Sequence, residues 1–153
     1  AKGELWFNRN TVTDAKSGVL NVDPGSSTTV VANRNLVLFN ERNRSDGVRT
    51  VFAVHSRGTL ASNRVRYSAG ANGGSHGERV FFITGQGIAV RSNLVETSNV
   101  RVGGDFVTVI TAINGRPSGA SIIGNRLIGK GSADLSRFED MVFSDNDLSG
   151  IVS

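Results

Sequence analysis

The chain has no cysteine, which excludes disulfide staples and thiolate metal sites but leaves the compartment open. It has two prolines, Pro24 and Pro117, both in turn-like settings. No apolar run approaches the roughly 18 residues of a membrane-spanning helix, and few stretches suggest a long helix of any kind. Ala1 is followed by no signal-like apolar stretch, so a targeting segment is expected to be absent or already removed. The two histidines, His55 and His76, lie far apart without a metal-ligand cluster and read as polar turn residues. No Gly-x-Ser-x-Gly, His-Glu-x-x-His or calcium-loop pattern occurs, and nothing calls for a cofactor.

What the chain does have is glycine, arginine and repetition. Its 153 residues suffice for one domain with a substantial core, and nineteen of them are glycine. The net charge is +4, and fourteen of the seventeen basic residues are arginine. Arginine favours planar, bidentate contacts to carboxylate, sulfate or phosphate. Thirteen acids are interspersed, so a mixed soluble surface explains the same count.

Six copies of one pattern run through the chain, each an Asn with an apolar residue two places later and another three places before. The centres are Asn10, Asn35, Asn63, Asn93, Asn125 and Asn146, at intervals of 25, 28, 30, 32 and 21 residues. Val12, Val37, Val65, Val95, Leu127 and Leu148 follow; Phe7, Ala32, Leu60, Val90, Ile122 and Phe143 precede. A second column, Gly18, Gly47, Gly77 and Gly104, opens runs rich in β-branched and aromatic residues at similar spacing. Imperfect repeats of this length signal a solenoid. Short apolar runs between Gly, Asn and Ser are strands and turns.

In a strand, residues two apart share a face, so each Asn points inward with its apolar companion. A buried amide must make its hydrogen bonds. Stacked on an equivalent Asn about 4.8 Å away in the next coil, it forms a ladder. Asn also tolerates the left-handed backbone of a sharp corner, so the Asn itself is expected there. Phe52 and Phe82 lie at the same offset from their glycines and are expected to stack inside.

Asn-Arg-Val, Asn-Leu-Val and Asn-Arg-Leu behind an apolar strand resemble the repeats of right-handed parallel β-helix proteins. That family includes pectate lyases, other polysaccharide-active enzymes and phage tailspikes. The resemblance covers essentially the whole chain. It implies an all-β, single-stranded right-handed solenoid of about five to six coils over residues 1–153. The first and last copies lack capping elements, so the chain is expected to be part of a longer β-helix or to meet partners at its ends. Tailspike-like members are trimers, which suggests a homo-oligomer by analogy. An extracellular, cell-surface or virion setting is implied in the same way.

The repeats build the cylinder, and recognition is expected in the loops and outer faces. Four variable segments separate the copies: 40–47, 69–77, 113–119 and 129–140, the last expected to hold a short helical turn. Asn43-Arg-Ser45 is a formal glycosylation sequon. Gly124 to Lys130 has the spacing of a phosphate-binding loop, but Gly131 stands where Ser or Thr should hold magnesium, and Asn125 belongs to the ladder.

Two functions compete. As a structural or glycan-contacting module, the chain would use Arg34, Arg64, Arg66, Arg91 and Arg126 beside the ladder to contact an acidic polysaccharide. Arg66 and Glu96 are expected to form a cross-coil ion pair. Nucleic acid is disfavoured, because Tyr67 is the only aromatic there for stacking. As a lyase or glycosidase, it would use Glu78 and Asp105, each following a repeat glycine and so expected one coil apart. The pectate-lyase site residues do not carry over: Arg116-Pro117 lacks that family's following Arg.

Overall fold

A computed structural model describes residues 3–23, 25, 27–40, 48–68, 78–97 and 107–148. The described residues contain strands and turns but no helix. The first circuit is β1 (Glu4–Asn8), β2 (Thr11–Thr13) and β3 (Gly18–Val22); the second is β4 (Thr29–Asn33), β5 (Leu36–Phe39) and β6 (Arg49–Val54). The third is β7 (Gly58–Ala61), β8 (Arg64–Tyr67) and β9 (Glu78–Ile83). Next come β10 (Ala89–Arg91), β11 (Leu94–Thr97) and β12 (Val107–Thr111), then β13 (Ser121–Ile123), β14 (Arg126–Ile128) and β15 (Ser132–Ala133). β16 (Val142–Ser144) begins another pass.

Every third strand joins the same parallel sheet. Sheet A runs β1-β4-β7-β10-β13-β16, sheet B runs β2-β5-β8-β11-β14, and sheet C runs β3-β6-β9-β12-β15. The result is a three-faced parallel β-solenoid, as the repeat spacing predicts.

The inward columns form the core. Ala32, Leu60, Val90 and Ile122 are fully buried on sheet A, as are Val37 and Val65 on sheet B. Tyr67 stacks on Phe39 at 4.9 Å, and Phe52 stacks on Phe81 at 5.5 Å with planes 10° apart. The expected partner, Phe82, is displaced by one residue: it pairs in register with Ala53 and faces outward. Sheet C turns two consecutive residues inward in each of three strands, namely Val51 and Phe52, Val80 and Phe81, and Val109 and Ile110. The pairing skips the first member of each pair, so strict alternation fails there. Of the glycine column, Gly18 sits opposite Thr50, and Gly47, Gly77 and Gly104 lie outside the described residues.

At the corner between sheets A and B the Asn ladder is continuous. Asn63 receives hydrogen bonds at Oδ1 from the backbone N–H and Nδ2 of Asn35, at 3.1 and 2.9 Å. Its own Nδ2 donates to Asn93 Oδ1 at 3.0 Å and to the Ala32 carbonyl at 3.0 Å. The same connections repeat from Asn10 to Asn146. The left-handed position is not the Asn but the residue before it: Arg9, Arg34, Ser62, Ser92, Gly124 and Asp145 have φ between 53° and 65°. The Asn is thereby free to turn its amide inward. Segment 129–140 holds no helix; its turn is closed by the Phe138 N–H to the Leu135 carbonyl at 3.1 Å.

Asn63→Ala removes a buried rung: the Asn35 backbone N–H loses its acceptor, and the Ala32 carbonyl and Asn93 Oδ1 each lose one donor. It is expected to cost about 3–5 kcal/mol, against about 1 kcal/mol for Asn10→Ala at the half-buried end. Urea unfolding of the two variants measures the difference; equal losses would show that the ladder is not what holds the corner.

Candidate functional site

The outer face of sheet C carries a groove of about 440 Å³. Part of its lining comes from two columns set by strand register, Gly18, Thr50 and Arg79 in one and Asn21, Ala53 and Phe82 in the other. The one-residue shift that removes Phe82 from the core places it here.

Phe82 forms the aromatic wall. The Arg79 guanidinium lies 5.5 Å from its ring centroid, and the His55 ring meets it edge-on at 5.4 Å with planes 83° apart. His55 Nδ1 is held by Thr84 Oγ1 at 2.6 Å, which fixes the ring against Phe82. Burial pushes the His55 pKa below its ordinary value of 6.5, partly opposed by the negative charge of Asp23. No ion pair to Arg79 is formed among the described residues, so its cation is available to a ligand. Asn21 and Thr50 add hydrogen-bonding groups to the lining. The site combines an aromatic edge, a cation, an imidazole and neutral polar groups in a shallow trough.

The arginines expected to bind are not gathered in one place. Arg64, Arg66 and Arg126 project from sheet B, whereas Arg34 occupies a left-handed corner and Arg91 lies at the end of a sheet A strand. Arg64 grips Glu96 with both Nε (2.6 Å) and Nη2 (2.9 Å), so the cross-coil pair is diagonal. Arg66, directly opposite Glu96 in register, is not the partner, because the longer diagonal reach allows a two-point contact. The contact raises the Arg64 pKa and lowers that of Glu96. Arg126 meets Asp147 at 3.5 Å, and Arg91 donates to Ser121 Oγ at 3.0 Å.

Glu78 pairs in register with Arg49 and Val107, and Asp105 lies outside the described residues. Glu78 Oε2 accepts from Arg49 Nε at 2.8 Å, with the two side chains 12% and 3% exposed. The Arg49 guanidinium also sits 3.8 Å from the Phe39 ring centroid, inside the solenoid. This pair ties neighbouring coils of sheet C together. Tyr67, buried beside it, has its pKa pushed well up by burial and by the charge of Glu78, against the opposing charge of Arg49.

Among the described residues, no cluster of His, Asp or Glu could hold a metal ion, and no helix is long and apolar enough to cross a membrane. His76 and the sequon lie outside the described residues. Gly129, in the stretch spaced like a phosphate loop, has φ 102° and packs against the Thr97 backbone, where a Cβ would collide. It ends a strand of the solenoid, with Thr97 Oγ1 donating to the Lys130 carbonyl at 2.8 Å. No family model, curated protein or solved structure matches this chain.

Repeat phasing alone misses Phe82, His55, Asn21 and Thr50, and brings in Arg79 only as a neighbour of Glu78. The legible signal was the doubled apolar step Val80-Phe81, which puts the next residue outside.

Arg49→Leu removes the cation that neutralises Glu78 in a nearly dry setting and is expected to cost about 3 kcal/mol or more. The double variant Arg49→Leu/Glu78→Leu should recover most of the loss in chemical denaturation. His55 gives a separate pH dependence. Its lowered folded pKa means that the unfolded chain binds more protons between that value and 6.5. The contribution is complete above pH 6.5 and is lost as pH falls through the folded value. His55→Gln should flatten this part of the stability profile, read as urea midpoints across that range.

Proposed function

We propose that this solenoid is a non-catalytic structural module that contacts an acidic polysaccharide, with the sheet C groove as the contact surface. The observation that carries this reading is Arg79 lying against Phe82 in an open trough. Sugar rings present apolar C–H faces suited to an aromatic wall, and uronate or sulfate groups suit a guanidinium. Asn21 and Thr50 supply partners for hydroxyls. A trough open along the stack suits a polymer better than an enclosed small molecule, whose sites bury most of the ligand. The flat outer face of sheet B, with Arg64 and Arg126 engaged by the protein's own carboxylates, has less free cation to offer. An extracellular, surface or virion setting fits such a ligand.

Titration of the chain with uronate-rich and sulfated polysaccharides by calorimetry tests this. Arg79→Gln is expected to weaken binding about tenfold, the loss of one charge-assisted hydrogen bond. Phe82→Ala should weaken it as well, and Arg137→Gln, in the 129–140 segment outside the groove lining, should not. Absence of binding, or binding indifferent to both Arg79→Gln and Phe82→Ala, would sink the proposal. Release of reducing ends or unsaturated products would instead make the chain an enzyme.

A further inference from the structure

We propose that His55 is the groove's second cation, contacting a further acidic group of the ligand across the Phe82 wall from Arg79, so that the groove holds an acidic polysaccharide more tightly in mild acid than at neutral pH. The inference rests on the groove being the contact surface for such a ligand, and adds a second contact and the condition that switches it on. It follows from three neighbouring columns on sheet C. Thr50 pairs in register with Arg79, and Ala53 with Phe82. Val22, Val54 and Ile83 are paired further along the same strands, so the residues after them, Asp23, His55 and Thr84, form a third column over three successive coils. The column of Phe82 therefore lies between that of Arg79 and that of His55. Both groups reach the same ring, the guanidinium at 5.5 Å and the imidazole at 5.4 Å from its centroid. His55 and Arg79 also line the same trough.

The ring is held so that it can work in two charge states. Nδ1 lies 2.6 Å from Thr84 Oγ1, and no second hydrogen bond to the imidazole is formed among the described residues. A threonine hydroxyl both donates and accepts, so it serves the neutral and the protonated ring alike. In the protonated ring Nδ1–H donates to Thr84 Oγ1, and Nε2–H is left for a ligand. Three charged groups surround the ring: Asp23 from the coil before, Arg57 two residues on, and Arg79 beyond Phe82. The charge of Asp23 favours the imidazolium, but burial outweighs it, and the free ring is neutral at pH 7. A sulfate or uronate against Nε2 adds the negative charge that tips this balance and draws a proton onto the ring. Binding then takes up a proton, so by linkage affinity rises as pH falls. The gain starts as pH drops through the pKa of the ligand-bound ring and is complete below that of the free ring, which lies under 6.5.

Dextran sulfate is the probe that separates the ring's charge from the ligand's, because its sulfate esters stay ionised between about pH 5 and 8, where imidazole titrates. By calorimetry the wild-type chain is expected to bind it about tenfold more tightly at the acid end than at the alkaline end, the strength of one charge-assisted hydrogen bond. His55→Gln should match the wild type at the alkaline end and lose that gain. His76 and the α-amino group are common to both chains, so the difference between the two profiles belongs to His55. A second measurement leaves the groove unaltered. In a His76→Gln chain the one remaining imidazole is followed by NMR, and its pKa should rise when dextran sulfate saturates the chain. Binding that Arg79→Gln weakens, yet that gains equally in acid in the wild type and His55→Gln, would overturn the inference and leave the groove reading standing. An imidazole pKa unmoved by saturating ligand would do the same. Absence of binding at every pH, or binding indifferent to Arg79→Gln and Phe82→Ala, takes down the groove reading and this inference with it.

Discussion

The structure depends on one constraint: every inward amide at the corner between sheets A and B must find its partners in the coils on either side. Four consecutive asparagines, Asn35, Asn63, Asn93 and Asn125, achieve this, with Nδ2 shared between the next Asn and a carbonyl one coil back. Because an unsatisfied buried amide costs about 1–3 kcal/mol, a slip of one residue at this corner is penalised in every coil. The corner therefore sets the register of sheets A and B, where inward columns align without a break. Its left-handed residue, placed just before the Asn, makes the turn in two residues and leaves no length to vary.

Sheet C is held differently. It follows connections whose lengths differ from coil to coil, and its strands turn two residues inward together. What aligns it is aromatic packing, Phe52 on Phe81, and the Arg49–Glu78 pair reaching across coils. The freedom this leaves is what creates a groove. A bend that doubles the inward residues throws Phe82 outward beside His55 and Arg79. The ladder corner fixes the register of the scaffold, and the less regular face carries the groove.

The ladder also gives the cylinder a direction. Each amide donates toward the following coil, so the described stack is polar from Asn10 to Asn146.

How much of this is legible without coordinates depends on the period of the pattern. An Asn with apolar residues at fixed offsets, repeated at intervals near one coil length, determines strands, inward faces and a stacked all-β architecture, because buried amides and period-two alternation admit few other arrangements. The outward placement of Arg64 and Arg126 follows from the same alternation. Tertiary structure alone decided the rest. Glu96 is gripped by Arg64 rather than Arg66 because a diagonal reach gives two contacts. Glu78 is drawn into the cylinder by Arg49, and Phe82 leaves the core because sheet C breaks alternation. These outcomes turn on register and bend angle across coils some thirty residues apart, which neighbouring residues in the chain do not encode.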